Sequence, residues 1–167
     1  MLYKIYKMKK NYIKPLLVLL FGFIFNPFNI YSQTEQQTKD YHNKTNIAIY
    51  KCQKQLLQST TNSFDIEFKE ILKLQLESEN YFKATNLQLC LWFSNECKTK
   101  CLQLLTKLKV ENTTFFQNTT EEITLIKNTA IPNPLPDLKL TSTQLESIST
   151  IDVKNPQATY TLIKNVN

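Results

Sequence analysis

One glycine in 167 residues, at position 22, is the feature that most narrows what this chain can fold into. Tight hairpins need residues at positive φ, and beyond Gly22 only Asn or Asp is left to supply them at low cost. The sequence is therefore biased toward helices. The same scarcity removes whole function classes, since a phosphate-cradling loop, a dinucleotide fingerprint and a nucleophile elbow all rely on glycine. Arginine is absent altogether, which leaves no bidentate clamp for carboxylate or phosphate.

The glycine sits in a distinct leader. Lys4, Lys7, Lys9, Lys10 and Lys14 precede an apolar run from Leu16 to Phe25, closed by Asn26, Pro27 and Asn29. A basic start, a short apolar core and a helix-breaking boundary form the layout of a secretory signal peptide. The core is too short for a bilayer span, which takes about 20 apolar residues. A cut after Ser32 would leave Gln33 as the new terminus. The expected organisation is a signal peptide over residues 1–32, a helical domain over 33–130 and a proline-punctuated tail over 131–167. The expected location is secreted or extracellular, or periplasmic in a bacterium, with no stable membrane span after cleavage. Five of the twenty lysines and none of the fourteen acids lie in the leader, so the formal charge falls from +6 to +1 without it. That removes the argument for a nucleic-acid partner, which requires a clustered basic face.

Beyond a polar stretch from Gln33 to Lys44, expected to be loose, a first helix is predicted from Asn46 to Gln58. The segment from Phe64 to Phe82 fits two periods. Phe64, Phe68, Ile71 and Leu72 have helical spacing, whereas Phe64, Ile66 and Phe68, then Leu72, Leu74 and Leu76, alternate like a strand. Its length and the lack of glycine favour a helix. Thr85 with Gln88 has capping-box spacing, and Leu87, Cys90, Cys97, Cys101, Leu104, Leu105 and Leu108 then form a buried stripe on one helix face. Thr119 and Glu122 repeat the capping-box spacing ahead of Ile123 and Ile126. The run from Ile131 to Pro136 cannot continue a helix. From Asp137 to Asn167 large apolar residues thin out, with one brief amphipathic stretch at Thr143, Leu145, Glu146 and Ile148. The predicted fold class is mainly α, a small disulfide-linked helical bundle with an extended, partly disordered C-terminal tail.

Four cysteines, Cys52, Cys90, Cys97 and Cys101, lie beyond the leader, and an even count in a secreted chain implies disulfides. Along an unbroken helix, Cys90 would lie about 10 Å from Cys97 and about 16 Å from Cys101. Disulfide Cα atoms lie roughly 4.4 to 6.8 Å apart. Two bridges therefore require the helix to break, with Ser94-Asn95 as the natural place. The alternative is one bridge from Cys52 and two remaining thiols. No second ligand cluster accompanies the cysteines, so no metal and no cofactor is expected.

His42 is the only histidine and is expected to be exposed in the polar lead-in. No catalytic residue is assigned. Three N-glycosylation sequons begin at Asn43, Asn112 and Asn118, a number that the abundance of Asn, Ser and Thr would produce by chance. If used, they mark exposed positions and a glycoprotein. Trp92, Phe115 and Phe116 are the aromatic candidates for a binding patch, although a core role is favoured for the paired phenylalanines. The expected function is a secreted, non-enzymatic binding protein whose partner is another protein, such as an effector, antigen or cytokine-like helical ligand. The alternative is a carrier for a small apolar ligand.

Overall fold

The computed structural model describes residues 34–59, 64–110, 113–127 and 137–167. The expected signal peptide, the run from Ile131 to Pro136 and Asn112 lie outside the described residues. Every regular element among the described residues is helical: α1 (34–58), α2 (Asp65–Lys83), α3 (Leu87–Lys107), a 3₁₀ turn (Thr114–Phe116), α4 (Thr120–Lys127), α5 (Ser142–Thr150) and α6 (Pro156–Leu162). The main core joins Ala48, Ile49, Cys52 and Leu56 of α1 to Phe68, Ile71, Leu72 and Leu76 of α2 and to Cys97, Cys101, Leu104 and Leu105 of α3. A second cluster, Tyr81, Phe82, Leu89, Cys90, Phe93 and Val166, lies at the other end of the α2–α3 pair.

The ambiguous segment is a helix. Asp65 and Glu67 in the first turn of α2 and Lys83 in its last complement the helix dipole. The strand-like alternation is decoupled by the helical turn: Phe68 is buried, while Ile66, two residues before it, is 75% exposed. The first helix starts well before Asn46. Residues 34–44, expected to be loose, are helical, and Thr38, Tyr41 and His42 among them are buried against partners that local periodicity cannot reveal.

Connections without glycine have a cost that is visible in the backbone. Thr85 and Lys109 adopt left-handed conformations, with φ of 58° and 55°. Each follows a helix C-cap, and each completes a paired hydrogen-bond motif, Asn86 N–H to Tyr81 O with Thr85 N–H to Phe82 O, and Val110 N–H to Leu105 O with Lys109 N–H to Thr106 O. Thr85 is thereby consumed in ending α2, so the N-cap of α3 falls one residue later than the capping-box spacing predicts. Asn86 takes that role by accepting from Leu89 N–H.

The disulfide expectation is corrected. Among the described residues all four cysteines are buried thiols. The physical reason is α3 itself, which runs through Ser94 and Asn95 without a break and keeps Cys90 a full helical translation away from Cys97 and Cys101. Cys52 comes up from α1 to place its Sγ 3.9 Å from the Cys101 carbonyl oxygen. Cys97 Sγ lies 3.5 Å from the Ile71 carbonyl on α2. The thiols act as small apolar fillers at the three-helix junction.

The extended, partly disordered tail is also corrected. Residues 137–167 hold α5 and α6, and they contribute Ile148, Val153, Ile163 and Val166 to the two clusters. Thr141 and Gln144 form a reciprocal capping box at the start of α5, and Asn155 caps α6 ahead of Pro156. Four well-spaced aliphatic residues suffice to dock this segment because Ile148, Val153 and Ile163 join the three-helix core and Val166 joins the cluster between α2 and α3.

Replacing Lys109 by Gly should raise unfolding stability by about 1 kcal/mol, because glycine bears no Cβ penalty at positive φ; urea melts that show a loss would exclude this account of the turn. Phe68→Ala should cost about 3 to 5 kcal/mol, against roughly 0.5 kcal/mol or less for Ile66→Ala. Thiol titration of the denatured, unreduced chain should count four free thiols, and a count of two or none would contradict the reduced core.

Candidate functional site

Two polar centres emerge, and of the sequence candidates only Cys90 touches the first and Asn118 the second. The first is built around His42, which is 1% exposed rather than surface-lying. Its Nδ1 lies 2.9 Å from Ser78 Oγ on α2 and 3.3 Å from Ser94 Oγ on α3. Ser78 Oγ also donates to the Cys90 carbonyl at 2.8 Å and lies 3.3 Å from Cys90 Sγ. Gln75 Nε2 donates to Asn46 Oδ1 at 2.6 Å and to the His42 carbonyl at 3.1 Å. Burial pushes the imidazole down to about 4; a hydrogen bond donated by the ring to the backbone carbonyl of Lys164 opposes the shift, and the Lys83 charge adds to it. A neutral imidazole beside a serine hydroxyl has the pairing of a base and nucleophile. Here both groups are enclosed by three helices, and what the pairing does is hold those helices in register.

The same helix face binds the C-terminal segment through its backbone. Asn43 Nδ2 donates to Val166 O at 3.3 Å while its Oδ1 accepts from Val166 N–H at 2.9 Å. Asn46 Nδ2 donates to Lys164 O, Tyr50 OH to Ile163 O and Gln53 Nε2 to Val153 O. These residues recur at helical spacing along α1, so the face forms a ladder of amide and hydroxyl groups against a nearly extended strap.

The second centre lies where α4 meets α1 and α3. Lys98 of α3, only 2% exposed, reaches Glu122 Oε2 at 3.4 Å, and Lys44 of α1 donates to the other carboxylate oxygen. Burial pulls the Glu122 carboxyl upward, but the hydrogen bonds from Lys44 and Thr119 N–H, with the Lys98 charge, outweigh it and hold the group below its ordinary value. Burial lowers Lys98, and Glu122 offsets part of that. Beside them Tyr41 OH lies 2.7 Å from Asn118 Oδ1 and 3.1 Å from Asn95 Oδ1. Thr119 and Glu122 cap α4 reciprocally, as their spacing predicts. The adjoining cleft, about 360 Å³, is lined by Gln37, Asp40, Tyr41, Lys44, Glu121 and Leu125 among others.

Of the aromatic candidates, Phe116 is buried, and Phe115 packs edge-on against it under the Lys51 ammonium, 3.3 Å from the ring centroid. Trp92 is half-buried and meets Phe93 edge-to-face at 4.7 Å. Asn43 and Asn118 are both half-buried. Sequence reasoning missed Tyr160, which is 63% exposed and lies 5.7 Å from Tyr50 between ring centroids. With Gln157, Thr161, Lys164 and Asn165 the two tyrosines border a groove of about 330 Å³. Among the described residues no group of three or more His, Cys, Asp or Glu side chains is placed to hold a metal ion, and no helix is long and apolar enough to cross a membrane. No protein-family model matches the chain, and no curated protein or solved structure shows significant similarity to it.

His42 makes stability depend on pH in a definite direction. Its folded pKa of about 4 lies below the unfolded 6.5, so the unfolded chain binds the proton first as pH falls. The contribution is complete above pH 6.5 and is lost on descending toward pH 4, roughly 3 kcal/mol in all. Urea unfolding between pH 7.5 and 5 should show that slope in the native protein and a flatter profile in His42→Gln. Parallel profiles would mean that the imidazole titrates normally.

Proposed function

We propose that this chain is a secreted, non-enzymatic binding protein that recognises another protein through an exposed stripe on α1 together with Tyr160. The observation that carries the reading is a set of large apolar residues left outside on α1, beyond the Ala48, Ile49, Cys52 and Leu56 that it buries in the core. His42, Asn46 and Gln53 are buried as well, whereas Ile47, Leu57 and the neighbouring Tyr160 stand among the exposed large apolar residues. At about 100° per residue, Ile47, Tyr50, Lys54 and Leu57 fall within an arc of roughly 80°. That spacing of anchors is the one used by helices that dock a partner's groove. Aromatic residues with a polar tip, such as Tyr50 and Tyr160, suit such contacts because they bring large area at small entropic cost.

The basic leader and short apolar core support the secretory route. The carrier alternative loses its motivation, since Trp92 and Phe93 pack on each other and on the second core cluster. The fully buried Ser78 and His42 support a packing role over a catalytic one, because a general base must reach the proton it abstracts.

The double substitution Ile47→Glu and Tyr160→Glu should weaken capture of the native partner at least about tenfold, or roughly 1.4 kcal/mol, without altering the helical circular dichroism. An unchanged set and yield of captured proteins would move the binding surface elsewhere. Amino-terminal sequencing of the exported protein should begin at Gln33; retention of the leader would defeat the cleavage reading.

A further inference from the structure

We infer that a glycan on Asn43 or Asn118 and the native packing around those residues are mutually exclusive, so that both sequons are acceptors only while the C-terminal segment or α4 is undocked. The transfer joins the sugar C1 to Asn Nδ2: the C1–O bond to a lipid pyrophosphate donor breaks, the pyrophosphate leaves with the electron pair, and Nδ2 gives up one proton. It needs a primary amide presented on an open surface loop.

Neither described sequon offers one. Asn43 lies within α1, and both ends of its amide are held by the Val166 backbone. The hydroxyl two residues on, Thr45 Oγ1, donates to the Tyr41 carbonyl at 2.9 Å and is wholly buried. A sugar on Asn43 therefore occupies the space of residues 164–166. Asn118 Nδ2 donates to Asn95 Oδ1 at 2.7 Å while its Oδ1 receives Tyr41 OH. Its following residue, Thr119, is fixed as the cap of α4, and Thr120 is already helical.

The consequence is sharpest at α4, which buries no side chain of its own. Its hold on the bundle is polar: Glu122 between Lys44 and Lys98, and Asn118 between Tyr41 and Asn95. A glycan on Asn118 replaces one Nδ2 hydrogen and places a sugar against Asn95 and Tyr41, which displaces that amide from its partners. The inference concerns packing alone and stands apart from the proposed binding surface.

Purified oligosaccharyltransferase with a lipid-linked oligosaccharide should glycosylate synthetic peptides covering residues 38–49 and 113–124. The folded full chain should react at these two sites at least roughly tenfold more slowly, because transfer must wait for local opening. Equal rates on peptide and folded chain would overturn the inference. Where a glycosylating eukaryotic host attaches sugar before folding, lectin-separated glycoforms should exchange amide hydrogens faster at residues 120–127 for Asn118, or 163–166 for Asn43, than the unmodified chain does. A glycoform with unchanged protection would overturn it equally.

Discussion

A buried polar face on α1 sets the terms for everything packed against it. Thr38, His42, Thr45, Asn46 and Gln53 are enclosed on the same helix that supplies Ile49, Cys52 and Leu56 to the core. Burying such groups is tolerable only if each finds a partner, since an unmet buried hydrogen bond costs on the order of 1 to 3 kcal/mol. Gln75 and Ser78 of α2 and Ser94 of α3 answer part of the demand, the Tyr41 carbonyl of α1 itself takes Thr45, and the backbone at residues 153 and 164 accepts from Gln53 and Asn46. The match is incomplete, for Gln53 Oε1 and Gln75 Oε1 have no partner. The C-terminal segment is thus required by the chemistry of α1 as much as by its own aliphatic residues.

The contact with α4 works on a different principle. Where the C-terminal strap combines backbone hydrogen bonds with buried Ile163 and Val166, α4 is held by one carboxylate shared by two lysines and by the amide of Asn118 just ahead of it. Lys98 is nearly sealed, so loss of Glu122 leaves an uncompensated cation in a low-dielectric site beside the Tyr41 ring, an arrangement far less favourable than an exposed broken pair. Asymmetry of this kind makes α4 sensitive to charge and the strap sensitive to volume.

Much of the helical architecture was legible. Phe68, Ile71 and Leu72 announced α2, the stripe from Leu87 to Leu108 announced α3, and Thr119 with Glu122 announced the start of α4, because hydrophobic period and capping chemistry act over a few residues. The first turns of α1 were not legible. Thr38, His42 and Thr45 read as surface when apolarity is the guide to burial, and their partners lie on other elements. After residue 137 the amphipathic stretch from Thr143 to Ile148 announced α5, whereas the docking of the rest was missed because Val153, Ile163 and Val166 are too scattered to give a periodic signal. His42 shows the limit most plainly: nothing within several residues of it hints at Ser78 or Lys164. The thiols were misjudged through their compartment rather than their geometry, since the unbroken-helix argument against bridges among Cys90, Cys97 and Cys101 was already available from their spacing.

The ladder joining α1 to the strap also has a meaning in time. Asn43 and Val166 are separated by 123 positions, and Asn46 and Lys164 by 118. Contacts of such reach slow the search for the native state, since loop closure must precede any reward from the pairing. A nascent chain can assemble the α2–α3 hairpin early and offer Ser78 and Ser94 to His42, but α1 keeps the side-chain amides of Asn43 and Asn46 without their strap partners until residues 164–166 have been made. Until then the bundle is a lock awaiting its bolt, and its buried polar face stays open to solvent for the whole of synthesis.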